Sequence, residues 1–178
     1  MAETLLNGKT VLMVIPHLQF RDEEFFGPKK QLEDAGAKVV VASASVRTCH
    51  SMNGGATASQ IAIAEAKADD YNALVICGGS SVPEFLWNDK KLQELAATMA
   101  TAGKVMAAIC LSTVVLARAK VLAGLDATVY FLPQAIQELT AGGARYVKEP
   151  LVVQKNIILA EGPAESARWG QAICSALA

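Results

Sequence analysis

Three short stretches of the chain carry residue types able to do covalent chemistry on a small molecule. In KVMAAICLSTVVLARAKVLAG (104–124) a thiol, Cys110, ends an apolar run and precedes a helix-type segment. In CGGSSVPEFLW (77–87) Gly78 and Gly79 close a second apolar run, and FRDEEFFGP (20–28) opens a helix-type segment with Asp22, Glu23 and Glu24. A cysteine one residue past a strand and at a helix N-terminus meets unpaired N–H groups and the positive end of the helix dipole. Those features favour a thiolate, lowering the pKa from about 8.5 by one to several units. Two glycines at a strand end let backbone N–H groups approach a substrate oxygen, so Gly79 N–H and Leu111 N–H form a candidate oxyanion hole beside Cys110. Glu24 falls at the carboxyl end of the first strand, on the same sheet edge as Cys110. Ionised, it raises the thiol pKa; protonated, it donates to the thiolate, and either way the two groups titrate as a pair. Asp22 and Glu23 read as helix-capping charges. From position alone a buried structural cysteine is an equal reading of Cys110.

The other polar candidates are weaker. His17, in VIPHLQF, follows the first strand and is a candidate auxiliary group beside Glu24, as are Ser112, whose hydroxyl is placed to cap a helix or touch a substrate, and Gly78. Cys49 and His50 sit together in RTCHSMNGG, which reads as a hairpin around Asn53-Gly54-Gly55; they have no companion ligands nearby, so no metal site is expected. Cys77 reads as buried and inert, and Cys174 as core or interface. Phe20, Pro83, Trp87 and Phe131 are the side chains expected around the pocket, making it partly apolar.

The elements that must position these groups alternate in type. KTVLMVI (9–15), AKVVVAS (37–43), NALVIC (72–77) and KVMAAI (104–109) are near-continuous apolar runs, as in parallel strands covered on both faces. DEEFFGPKKQLEDAG (22–36) and DKKLQELAATMATAG (89–103) carry a carboxylate in the first turn and end in glycine, as crossover helices do. Further on, the pattern predicts a strand at 127–130, a helix at 133–141, paired β-runs EPLVVQ and NIILAE, and a helix over 164–177. Strand and helix in alternation give an α/β sandwich whose ligands lie beyond the carboxyl ends of the strands.

Composition sets the outer bounds. The chain has 178 residues, 52% of them hydrophobic, and no linker or repeat divides it, so residues 1–178 read as a single domain with a sizeable core. Sixteen basic residues against seventeen acidic ones, with no basic block, argue against a nucleic-acid partner. The longest uncharged apolar-rich run, 105–117, falls short of the roughly 18 residues a membrane helix needs, and the MAETLLNGK start lacks a secretory pattern. A cytoplasmic protein with four free thiols, no membrane partner and no disulfide framework is expected.

The motifs resemble the PfpI/ThiJ (DJ-one/PfpI) superfamily along nearly the whole chain. FRDEE (20–24) is similar to its F-E-D-x-E, DYNALVICGG (70–79) to D-Y-D-A-L-V-I-P-G-G, and AAICLSTVVLARAKVLAG (107–124) to A-A-I-C-H-G-x-x-x-L-x-x-A-x-V-L-x-G. TAGGARYV (140–147) resembles N-A-G-A-x-W-x, and VVQKNIILAEGP (152–163) resembles V-V-x-x-N-x-x-T-S-R-G-P. The resemblance implies a flavodoxin-like three-layer sandwich with a mostly parallel sheet and helices on both faces, of the class I glutamine amidotransferase-like type. It makes Cys110 the nucleophile and Glu24 the carboxyl group that contacts it. It also implies a homodimer or larger homo-oligomer and no cofactor. The chain departs from the pattern at Leu111, where many members have histidine, at Ser112 for glycine, at Ala144-Arg145 and at Glu161 for arginine. Leu111 supplies a backbone N–H but no proton transfer, so a Cys–His–acid peptidase is the least favoured activity. The leading expectation is a cofactor-independent enzyme in which Cys110 attacks a small aldehyde, glyoxal-type or related electrophile while Glu24 shuttles the proton; the alternative is a stress-response redox sensor that oxidises at Cys110.

Overall fold

The computed structural model describes residues 5–178, so the first four residues of the MAETLLNGK start and of the 1–178 span lie outside it. The four apolar runs become strands β1 (Thr10–Val14), β3 (Lys38–Ser43), β7 (Ala73–Ile76) and β8 (Val105–Ile109). Between β1 and β3 lie β2 (Leu18–Phe20) and helix α1 (Asp22–Asp34). Between β3 and β7 lie β4 (Thr48–Ser51), β5 (Ala56–Ala58) and β6 (Ile61–Ala62). Helices α2 (Val82–Phe85) and α3 (Lys90–Thr101) lead to β8, and α4 (Thr113–Arg118) follows it. Then come β9 (Asp126–Ala127), α5 (Pro133–Ala141), β10 (Arg145–Tyr146), β11 (Leu151–Gln154), β12 (Ile157–Ala160) and α6 (Ser166–Leu177).

The central sheet runs β11-β12-β8-β7-β1-β3-β6, parallel throughout except for β11, which returns antiparallel on β12. Alternation along each strand divides the core in two. Leu12, Val14, Leu74, Ile76, Met106 and Ala108 pack with α3, α4 and α5, through Leu92, Leu116 and Leu139 among others. Val11, Met13, Val75, Ala107 and Ile109 pack with α1 and α6, through Phe25, Leu32, Trp169 and Ile173. Successive side chains of a strand point to opposite faces, so a strand covered by helices on both sides must be apolar at every position. The result is the flavodoxin-like three-layer sandwich expected from the sequence. No helix among the described residues is long and apolar enough to cross a membrane.

Two expectations shift. The strand expected at 127–130 is only Asp126–Ala127. Beyond it the chain leaves the small β9–β10 pairing, with the Thr128 hydroxyl donating to Glu149 O at 2.6 Å and Tyr130 N–H to Cys110 O at 3.3 Å. The last helix starts at Ser166, because Pro163–Glu165 forms a tighter 3₁₀ turn first.

Candidate active site

The first turn of α1 and the carboxyl ends of β7 and β8 deliver three groups to one place. Glu24 lies in the first turn of α1 and is fully buried. Gly78 follows β7, and Gly78 N–H donates to Glu24 Oε2 at 2.8 Å. Cys110 follows β8 with φ +61°, a conformation that non-glycine residues adopt rarely and that turns the strand sharply into the 3₁₀ turn Cys110–Ser112 and then α4. A β-carbon added at Gly78 would run into both Glu24 Oε2 and Cys110 Cβ, so the missing side chain is the space the carboxyl group fills. Gly79 has φ +146°, and a β-carbon there would collide with Gln19 O and the Phe20 Cα. Glycine is therefore required at both positions by contact and, at Gly79, by backbone conformation as well.

A cavity of about 230 Å³ opens onto these residues. Cys110 and Glu24 line it together with Gly79 and Leu111, so the two backbone groups expected to form the oxyanion hole border the same space as the thiol. Arg21, Met52, Ser80, Tyr130 and Pro163 complete its lining. Cys110 retains 8% exposure and Glu24 none, so the thiol is the more accessible of the two groups.

The electrostatics depart from the lowered thiol that a helix N-terminus alone would give. Burial, acting with the neighbouring Glu24 charge, pushes the Cys110 thiol well above its ordinary range, and the Leu111 N–H and the Arg21 charge pull the other way without reversing it. Burial likewise raises Glu24 to about 7, against the lowering influence of Gly78 N–H, Arg21 and the Cys110 thiol. Glu24 thus gives up its proton before Cys110 does, and its charge favours the protonated thiol. Cys77, just past the end of β7, is fully buried and also raised by desolvation and Glu24, in keeping with an inert thiol.

Other expected groups fall elsewhere. The Ser112 hydroxyl is buried and donates to Cys77 O at 2.6 Å; it ties the elbow to the end of β7 and neither caps α4 nor faces the cavity. The His17 ring packs against Phe85 with centroids 4.2 Å apart, and burial and the Arg47 charge lower its pKa; it is not among the cavity-lining residues. The pocket expected around Phe20, Pro83, Trp87 and Phe131 is lined by different side chains. Phe20 and Trp87 are buried in the core, and Phe131 is exposed beside a neighbouring groove. Trp87 does act on the elbow, though: its Nε1–H donates to Leu111 O at 2.9 Å. Arg118 lies over the indole at 5.5 Å and makes a two-pronged pair with Glu138.

Arg21, Met52, Tyr130 and Pro163 were not singled out in the sequence. Arg21 stands inside FRDEE, directly before the helix, which is the one local signal for it. Met52 arrives through pairing of distant segments: β2 runs parallel to β4, and Met52 N–H donates to Phe20 O at 2.9 Å. Asp22 holds that hairpin tip, accepting from the Ser51 hydroxyl at 2.6 Å and from Asn53 N–H at 3.0 Å.

Comparison with known proteins gives the chain's family and fold relatives. The sequence model described as the DJ-1/PfpI family matches residues 9–176. An uncharacterized protein of Methanocaldococcus jannaschii is 43% identical over 98% of this chain and 85% of its own length. The deglycase PfpI of Pyrococcus furiosus is 28% identical over 85% of this chain and 89% of its own. A ThiJ/PfpI domain protein from Brachyspira murdochii superposes with a TM-score of 0.89 at 32% identity, covering 96% of this chain and 98% of that one.

Proposed function

The chain belongs to the DJ-1/PfpI family, and from that premise we propose that it is a cofactor-independent, cysteine-dependent enzyme acting on a small glyoxal- or aldehyde-type electrophile. Cys110 is the nucleophile and Glu24 the proton shuttle. Sγ adds to the carbonyl carbon, the C=O π pair moves onto oxygen, and the thiol proton passes to the Glu24 carboxylate. Glu24 then returns that proton to the new alkoxide, leaving a hemithioacetal on Cys110. Gly79 N–H and Leu111 N–H are the donors assigned to the oxygen as it gains charge. The observation that carries this reading is the meeting of Glu24 and Cys110 at Gly78, with Glu24 raised to about 7, where a general base works best near neutral pH.

The same electrostatics weigh against a redox sensor, which relies on an accessible thiolate of low pKa. They do not hinder an enzyme that ionises its thiol only as the substrate arrives. The deglycase names of Pyrococcus relatives fit a hydrolase-like outcome. The test is turnover of glyoxal by wild type and Cys110→Ser. Turnover lost in the variant supports the reading, and stoichiometric oxidation of Cys110 without turnover supports the sensor instead.

A further inference from the structure

The cavity pairs a reacting thiol with one cation. Of the described residues that line it, only Arg21 carries a positive charge; Met52, Leu111, Tyr130 and Pro163 offer mainly apolar surface, the Ser80 hydroxyl is bonded to Gln19, and the single acid, Glu24, is engaged with Gly78. The Arg21 backbone N–H donates to Gly78 O at 3.0 Å, so the root of the side chain is fixed on the same turn that positions Glu24. Its side chain is lightly committed. Nε meets Glu23 Oε2 at 3.0 Å in a pair exposed on both sides, and Nη1 lies 3.9 Å from Met52 Sδ. Among the described residues these contacts leave Nη2 unused. Exposed ion pairs of this kind contribute little stability, so a ligand oxygen can replace Glu23 at small cost. A thioether is a weak acceptor that a carboxylate outcompetes.

We propose that Arg21 is a specificity-determining residue that selects small carbonyl compounds bearing a carboxylate next to the reacting carbon. This rests on the reading of Cys110 as the nucleophile and narrows its substrate class. A guanidinium edge matches a carboxylate with two parallel N–H···O bonds, and the cavity, smaller than the roughly 300 Å³ at which sites for drug-sized ligands begin, suits a molecule of few atoms. With the carboxylate on Arg21 and the carbonyl carbon at Sγ, the apolar walls enclose the remainder.

A matched pair of alkylating reagents tests the subsite without a known substrate. Iodoacetate and iodoacetamide differ little in size, and each reacts by the same step: Sγ displaces iodide from the CH₂ carbon, forming one S–C bond as the C–I bond breaks. Taking the ratio of their site-resolved rates at Cys110 cancels any change in thiol ionisation. The ratio of iodoacetate to iodoacetamide rates is expected to fall about tenfold in Arg21→Gln and to rise in Glu23→Gln, which frees the guanidinium. In the wild type, acetate should protect Cys110 from iodoacetamide at concentrations where acetamide does not. A ratio unchanged by Arg21→Gln, or equal protection by acetate and acetamide, overturns the proposal. Glyoxal turnover reports on the parent reading separately. A responsive ratio without Cys110-dependent turnover leaves the anion subsite standing and removes the enzyme; turnover with an unresponsive ratio does the reverse.

Discussion

Glu24 and Cys110 meet across Gly78, at a point where a single added methyl group would strike both Glu24 Oε2 and the Cys110 β-carbon. The two side chains come from the first turn of α1 and the end of β8, and the strand between them, β7, supplies a residue with no side chain to keep them apart. Gly78→Ala is therefore expected to displace the Glu24 carboxyl group, to destabilise the fold by about 1–3 kcal/mol through overpacking, and to lower kcat/KM at least about tenfold. Urea denaturation and steady-state kinetics on the one variant measure both effects.

Removing the Glu24 charge separates thiol ionisation from catalysis. The Glu24 charge raises the thiol, so Glu24→Gln should start alkylation of Cys110 by iodoacetamide at a lower pH than the wild type. The same variant has no base to receive the thiol proton and should lose about 10²-fold or more in turnover. A more readily ionised thiol with a slower reaction is the outcome that mass-resolved alkylation and kinetics should show together.

The buried carboxyl group also links stability to pH. Its folded pKa of about 7 lies above the ordinary value of 4.5, so between those limits the folded state binds the proton more tightly than the unfolded state. Glu24 therefore contributes stability that is fully present below about pH 4.5 and is lost as pH rises through about 7, worth about 3 kcal/mol at most. Glu24→Gln cannot lose it. The variant should match the wild type near pH 4.5 and exceed it at pH 8.5, as read from denaturation midpoints at the two pH values.

Much of this architecture is visible in the sequence because burial on both faces forces unbroken apolar runs. KTVLMVI and KVMAAI became strands within a residue of each end for that reason. Cys110, Glu24, Gly78 and Gly79 were legible because a strand end followed by a thiol, an acid or glycines is a local pattern. Short elements such as β2 and β6 carry too few residues to show a period. Met52 and Tyr130 reach the cavity through contacts between distant segments, Met52 N–H with Phe20 O and Tyr130 N–H with Cys110 O, which no local spacing encodes. Of the two causes that raise the thiol pKa, the Glu24 charge was legible and the larger one, burial, was not, since it follows from depth in the fold rather than from neighbouring residues.

The indole of Trp87 holds the elbow from behind, donating to Leu111 O beside Cys110. Trp87→Phe removes that donor and leaves a gap where the five-membered ring lay, so it should cost about 2–3 kcal/mol of stability. Because Leu111 N–H is assigned to the reacting oxygen, the variant should lower kcat several-fold with KM little changed, a split that steady-state kinetics resolves.

The most direct measurement is the pH dependence of kcat/KM for glyoxal in the wild type and in Glu24→Gln. If Glu24 accepts the Cys110 proton, the wild-type profile rises with pH through about 7 and levels above it, and that rise is absent from the variant. A rise through 7 that persists in Glu24→Gln would assign the base elsewhere and contradict the account.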